Sequence, residues 1–414
     1  MVTAVPPAEM SQARSSRITS VDALRGFALI WLLGFKEVVD SFVCLGNNEA
    51  RPWRPFFWVP VELKHITWEG FRFFDLLFPL VLFLAGIASV YAVPKWKQQW
   101  GLPGTYGRIL KRTALLIIFG IVYTGGLRGG WEEVRWLGVL QRTAIATGAA
   151  ALLFCHLRTR GLVVAITAIL MGYWWAMAQI PVPNLTLDAN SVHDAMAEYG
   201  ATNVVEALAK TPDQVRGSFL PGLNLAHYLD ALYLPGHRYR SYWDPEGILG
   251  TLPSVATVLL GCLAGIFIQR TDLSAAQKCK WLGIAGVALA VAGWSWGGAF
   301  PVVKLLWSSS FVLVAAGYSC AFLALFQWAT EVKHWRLCLG PLEWVGTNAI
   351  LLYMSGKLVG FDKLTARLIG SPEQHWIDAH VLSGAGAFLQ AVLAFSLMLW
   401  LARLLYRHKV ALRV

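Results

Sequence analysis

The amino-acid sequence predicts an all-α protein, a polytopic transmembrane helical bundle of about ten spans with both termini cytoplasmic. Three observations predict it. Of the 414 residues, 56% are hydrophobic and only 14% charged, whereas a soluble domain has roughly 45–50% and about 25%. The apolar residues gather in repeated runs of ~20, the length that crosses a hydrocarbon core. Lys and Arg are unevenly divided between the segments that join those runs.

The expected spans are Ala23–Leu45, Phe71–Val93, Ile109–Leu127, Leu137–Leu157 and Leu162–Ile180. After a long polar loop at 181–244 come Ile248–Ile268, Trp281–Phe300, Leu305–Trp328, Leu342–Val359 and Leu382–Tyr406. The first run does not read as a signal peptide, since it is too long and no small-x-small cleavage site follows it. Residues 1–21 are then a cytoplasmic segment, and 22–414 a single transmembrane domain.

With the N-terminus inside, the inner segments hold 18 Lys and Arg in 82 positions, and the outer segments 13 in 142, or 14 with Lys36. That asymmetry fits the positive-inside rule for an even number of spans, and it absorbs most of the net charge of +11. No concentrated basic face with interleaved aromatics is visible, so no nucleic-acid partner is expected. Cys44, Cys155, Cys262 and Cys320 fall in spans, and Cys279 and Cys338 in inner loops. The pattern gives neither a disulfide framework nor paired Cys/His spacing, and no metal is expected. The twenty Trp suit interfacial belts, though outer ones could stack on sugar rings. Phe74–Gly86 and Leu252–Gly265 are faintly alike.

Ionisable residues inside spans are costly and mark function by default. At the inner end lie Arg17, Asp22 and Arg25, with Arg108, Lys111 and Arg112 opening the third span. Asp22 and Arg25 share a helix face and can pair. The cluster reads either as an ordinary basic flank with one ion pair or as a cytoplasmic mouth for a phosphorylated ligand. The outer group holds Lys36, Glu37, His65, Glu69, Arg72, Asp75, Arg135, Gln141, Arg142, Asp244, Glu246 and Lys304. Glu69, Arg72 and Asp75 read as a self-neutralising i, i+3 ladder on one helix face. Arg142 and Asn348 lie deeper, and a water-filled cavity reaching toward the midplane would accommodate them. His65 reads either as a surface residue or as a proton acceptor. Ten residues of helix span ~15 Å, so a His–Asp dyad is expected to need another segment's carboxylate, such as Asp244.

Six ordered motifs resemble the heparan-α-glucosaminide N-acetyltransferase family. They are Arg17 to Gly26; His65 to Gly70 with Asp75 to Pro79 and Gly86; Gly138 to Arg142; Asp244 to Pro253; Phe300 to Ser310; and Asn348. The resemblance runs from about residue 17 to 358 and is nearest to a bacterial branch associated with N-acetylglucosamine utilisation. It is expected to leave out the lysosomal enzyme's large luminal domain. The sequence also reads Gly34-Phe-Lys36-Glu37 where that enzyme carries an Asn.

The resemblance implies an enzyme in a bacterial inner (plasma) membrane, moving an acetyl group from cytoplasmic acetyl-CoA to an amino sugar or sugar hydroxyl outside. It implies His65 as general base or transient acyl acceptor, with Asp75 and Asp244 as further catalytic carboxylates and Asn348 or Arg142 polarising the thioester carbonyl. It implies Arg25, Lys111, Arg112, Gln141 and Lys304 for acetyl-CoA, and Glu37, Trp68, Glu69 and Glu246 for the sugar acceptor. The lipid bilayer is the expected surrounding partner, and a homodimer the expected assembly. The rival class is a sugar permease or ion-coupled transporter. Against it, no pair of matching broken helices is legible, Gly340-Pro341 being the one candidate break.

If residues 181–244 form an outer loop, a cysteine introduced at position 200 reacts with an impermeant thiol reagent in intact cells. Labelling only after lysis would invert the whole topology.

Overall fold

The computed structural model describes residues 19–46, 56–335 and 339–410. Arg17, most of the expected N-terminal segment and Cys338 lie outside them. In chain order the helices are α1 (Thr19–Ile30), α2 (Lys36–Val43), α3 (Val59–Glu62), α4 (Phe73–Thr124), α5 (Val139–His156) and α6 (Thr159–Gln179). Next come α7 (Ala189–Glu198), α8 (Val204–Lys210), α9 (Leu225–Tyr233), α10 (Ile248–Ile268), α11 (Ala275–Trp296) and α12 (Ser309–Gln327). The last are α13 (Leu339–Thr347), α14 (Ala349–Val359), α15 (Phe361–Ala366), α16 (Ser371–His380) and α17 (Ala385–Arg407). Two short strands, β1 (Val182–Pro183) and β2 (Gln214–Val215), pair antiparallel.

Among the described residues, six helices are long and apolar enough to cross a membrane: α4, α6, α10, α11, α12 with its extension to Val332, and α17. The protein is a polytopic helical membrane protein. The second and third expected spans both belong to α4, broken at Gly101, where φ is +63°. The inner segment expected to link them is therefore largely helical. Polar residues mark where lipid ends, and helical hydrogen bonding need not end there.

The chain divides into two compact units. One comprises 64–271 and 284–320. At its centre α4 and α10 approach until their backbones touch. A Cβ at Gly86 would collide with the carbonyl of Val258, and one at Gly261 with the carbonyl of Phe83. The faintly similar segments of the sequence are thus the two sides of one helix contact, and their shared small residues serve packing. Helix α10 is mostly buried, whereas α6 leaves most of its apolar residues exposed, as a lipid-facing helix does.

Residues 181–247 of the same unit fold into a compact layer. Its helices α7, α8 and α9 start at Asp188, Asn203 and Asn224, each accepting backbone N–H bonds in the first turn. Residues 192–208 fall in two helices and not one, because Asn203 caps a fresh start. Leu185, Leu187, Val192, Leu208 and Trp243 form the layer's core, and Trp68 packs against it.

The other unit holds 19–63, 272–283 and 321–410 of the described residues. Here α1 and α13 touch through Gly26 and Gly346, whose Cβ positions would collide with the carbonyls of Leu342 and Asp22. The Asp22–Arg25 pair forms as expected, at 3.0 Å. Contrary to the sequence reading, this unit does contain a pair of broken helices. Helix α1 runs into a π-helical turn at Trp31–Phe35, where Gly34 has φ +125°, before α2 begins. Asn348, at φ −116° and ψ 31°, separates α13 from α14. Gly340 and Pro341 lie inside α13 and make no break. Glycine reaches such a φ without a Cβ penalty, and hydropathy alone does not register the turn.

The α4–α10 contact generates a stability test. Gly261→Ala forces two backbones apart and should cost about 1–3 kcal/mol or more. Gly283→Ala, with nothing within 4 Å of its Cβ position, should be neutral or stabilise by up to ~1 kcal/mol. Thermal melts of the detergent-purified variants check the contrast.

Candidate active site

The segment before α4 is not helical. Residues 64–72 form a loop tied to the 301–308 loop by the Gly70 amide, which donates to the Val302 carbonyl at 2.8 Å, and by a bridge between Glu69 and Val303. The expected Glu69–Arg72–Asp75 ladder on one helix face is therefore absent: Glu69 is exposed, Arg72 is the N-cap, and only Asp75 is helical.

The same fold-back overturns the expectation that Asp75 is out of reach of His65. His65 Nδ1 lies 2.7 Å from Asp75 Oδ1. The ~15 Å separation applied to a continuous helix, and a loop that doubles back removes it. Asp75 Oδ2 accepts the amides of Ile66 at 3.2 Å and Arg72 at 3.3 Å. Lys304 Nζ donates to Asp75 Oδ1 at 3.2 Å and stands 3.0 Å from His65 Nδ1. The Asp75 side chain is fully buried, while 54% of His65's is exposed. An ionised carboxylate only accepts, so Nδ1 carries the ring proton. Nε2 is left as the ring nitrogen open to a ligand.

The loop that delivers Lys304 is fixed from several sides. Ser308 Oγ accepts the Val303 amide at 3.0 Å, Ser310 Oγ donates to the Pro301 carbonyl, and Ser309 Oγ donates to the Leu170 carbonyl. Tyr173 donates its hydroxyl proton to the Leu306 carbonyl at 2.7 Å. Trp307 adopts a φ of +53°, a conformation that costs a bulky residue and persists only under such constraint. Its indole N–H donates to Thr257 Oγ1 at 3.1 Å. Burial lowers the Lys304 pKa, and Asp75 works against that shift.

Asp244, the expected partner of His65, instead meets Arg135. The guanidinium grips Asp244 at 2.8 and 2.6 Å and Glu246 at 2.6 Å. Burial pushes Asp244 up, but the Arg135 bonds and the Glu246 and Tyr239 amides outweigh it and leave its pKa lowered. Arg142 is buried, donates to the Pro245 carbonyl at 2.8 Å and lies 4.9 Å over the Trp307 ring. Its Nε has no partner among the described residues. Gln141 donates to the Arg135 carbonyl at 3.2 Å, and its Oε1 is likewise unpartnered.

Two buried groups here escaped the sequence reading. Asp230 accepts the amides of Asp244 and Ile248, and burial pushes its pKa up to about 7. His227 stacks on Trp243 with 3.7 Å between ring centroids, and burial drives its pKa well below the usual histidine value. Acidic and imidazole side chains within the otherwise apolar α9 were the available signal.

The remaining expected residues are dispersed. Trp68 donates to the Phe219 carbonyl at 3.0 Å and meets Trp243 edge-on, so its indole is engaged in packing. Lys111 and Arg112 are exposed on the second half of α4, where Arg112 lies 5.2 Å over Trp96 and Arg108 lies 3.3 Å over Trp100. Arg25, Glu37 and Asn348 belong to the other unit. Asn348 is buried, and neither atom of its carboxamide has a partner among the described residues.

No family model matches the chain. It is 26% identical over 454 aligned residues to heparan-alpha-glucosaminide N-acetyltransferase of Mus musculus, covering 97% of this chain and 61% of that protein. The Homo sapiens protein of the same name is 27% identical over 443 residues, covering 95% and 59%. The relationship is distant homology. The chain spans about three fifths of the length of these curated relatives.

The Arg135 cluster yields a signed prediction. Arg135→Ala strands the buried Asp244 carboxylate and the half-buried Glu246, which costs about 3–5 kcal/mol at neutral pH. Asp244's lowered pKa stabilises the native state above its unfolded value, and that contribution is lost as pH falls through the folded one. The deficit of the variant should therefore be largest near pH 7 and shrink below about pH 4. Thermal melts across that range measure it.

Proposed function

We propose that this protein is a membrane acyltransferase. In this reading it moves an acetyl group from acetyl-CoA, taken from the cytoplasm, to an amino sugar or sugar hydroxyl on the outer side of a bacterial inner membrane. One observation carries the reading: an exposed imidazole whose Nδ1 is held by a buried, fully engaged carboxylate. Nucleophilic and general-base sites are built this way, with the base oriented by a third group. The distant homology to an N-acetyltransferase over nearly the whole chain supports the same chemistry.

His65 Nε2 then has two routes. As a general base it takes the proton of the acceptor's amine or hydroxyl while that atom attacks the acetyl carbonyl. The C–S bond breaks and the thiolate of CoA leaves, to be reprotonated. As a nucleophile, Nε2 attacks the thioester first, expels the thiolate and passes the acetyl group to the acceptor. Asp75 fixes the ring's tautomer in both. Arg142, buried with an unpartnered Nε, is the candidate to polarise the carbonyl, and Gln141 lies beside it. Lys111 and Arg112, exposed on the second half of α4, supply cations for the CoA phosphates. Ten spans and cytoplasmic termini agree with the Lys and Arg distribution.

A transport reading has its own observation. Discontinuous helices with buried unpartnered polar groups bind substrates and ions in secondary transporters. The breaks at Gly34 and Asn348 fit that description.

Calorimetry with acetyl-CoA on the purified protein separates the two classes: a transferase binds it, and a permease for sugars does not. His65→Ala should keep that binding and lower acetyl transfer to glucosamine about 10²–10⁴-fold. A variant that keeps more than about a third of the wild-type rate removes His65 from the chemistry. Absence of wild-type binding up to about a millimolar leaves transport as the better reading.

A further inference from the structure

We infer that Lys304 is a positioning residue that confines His65 to a single ring proton, at Nδ1, and so keeps the Nε2 lone pair free for the acetyl donor or the acceptor. The inference rests on the transferase reading for its use, but not for its physics.

Three polar groups from distant parts of the chain meet at one point. Nδ1 stands 2.7 Å from Asp75 Oδ1, Nζ 3.2 Å from the same oxygen, and Nζ only 3.0 Å from Nδ1. Asp75 Oδ1 therefore accepts from both the ring and the ammonium, while Oδ2 accepts two backbone amides. A carboxylate with four donors has used the lone pairs it has. It holds its charge and does not take the ring's proton away.

The Nζ–Nδ1 contact is the informative one. In the tautomer that Asp75 selects, both nitrogens are donors, so this is not a hydrogen bond. Two donors are held together only because they share one acceptor. In a bare His–Asp pair, the carboxylate draws a second proton onto the ring by favouring imidazolium. Here the ammonium, 3.2 Å from the same carboxylate oxygen, opposes that attraction. A proton on Nε2 would set a second cation against Lys304 at 3.0 Å.

The other charged groups near the ring do not reproduce this effect. From its own loop, Arg72 reaches the His65 carbonyl oxygen at 3.5 Å, and the Lys64 and Glu69 side chains are exposed. From α4, the Phe74 ring lies 4.9 Å from the imidazole and brings no charge. Glu246 and Arg142 act on Lys304 with opposite signs. A lysine that merely neutralised a buried aspartate would need no contact with the ring. The bridge between Glu69 and Val303, next in sequence to Lys304, provides that contact.

The test compares Lys304→Gln, which can still donate to Asp75 but carries no charge, with Lys304→Arg, which restores the charge. Acetyl transfer to glucosamine is measured from pH 5.5 to 8.5, and the ring nitrogens of His65 are followed by 15N NMR. In Lys304→Gln the acid limb of the rate profile should move about one unit alkaline, raising the ratio of rates at pH 8 and pH 6 about fivefold. Lys304→Arg should return it. A uniform loss of rate with an unmoved limb would reduce Lys304 to a structural counter-ion and overturn the inference. If no acetyl transfer occurs at all, the transferase reading fails, and the NMR titrations of the same variants still decide the role of Lys304. If the glutamine variant does not fold, the wild type alone decides: Nδ1–H with a bare Nε2 at pH 7 supports the inference, and a doubly protonated ring overturns it.

Discussion

The Asp75 carboxylate is the constraint on which the two loops around the start of α4 depend. It lies fully buried at the first turn of a membrane-spanning helix, where an unpaired charge would be very costly. Its two oxygens collect a ring N–H, an ammonium and two backbone amides. Those donors come from the 64–72 loop and the 301–308 loop, so one desolvated charge fixes both loops against the start of α4. The loops in turn fix each other through the Gly70–Val302 hydrogen bond. Arranging the imidazole and satisfying the carboxylate are the same event.

Different forces hold the two ends of this unit. Between α4 and α10 the contact is backbone on backbone, made possible by Gly86 and Gly261, with the Cys262 thiol donating to the Gly86 carbonyl at 3.4 Å. Toward the 181–247 layer the structure is held by buried charge. Arg135 joins Asp244 and Glu246, Asp230 caps the approach to α10, and Arg142 rests on a Trp307 held at positive φ. Such networks are rigid when every member is satisfied. Among the described residues Gln141 Oε1, Arg142 Nε and, in the layer itself, His227 Nε2 are left without partners, the first two side by side in sequence on α5.

The other unit is built on another plan. Its α1–α13 contact is again glycine against backbone, but two of its helices are interrupted, and a buried carboxamide sits at one interruption. Transfer chemistry asks for a lone pair held in one place, and the His65 cluster has that character. Transport asks for polar groups open to a passing ligand, and the buried Asn348 carboxamide has no partner among the described residues. The two units thus carry the features of the two functional readings separately.

The sequence by itself determined the membrane class, the long apolar helices and the Asp22–Arg25 pair. Those follow from local chemistry: hydropathy over ~20 residues and i, i+3 spacing. It misjudged the partner of His65, the ladder before α4 and the helix breaks at Gly34 and Asn348. Each depends on where the backbone leaves regular geometry. Tertiary structure alone decided that Asp75 and Lys304 meet at His65, across 229 residues of sequence between those two. The reason is that a buried carboxylate recruits whatever donors the fold brings within reach, and no local pattern records which ones those are.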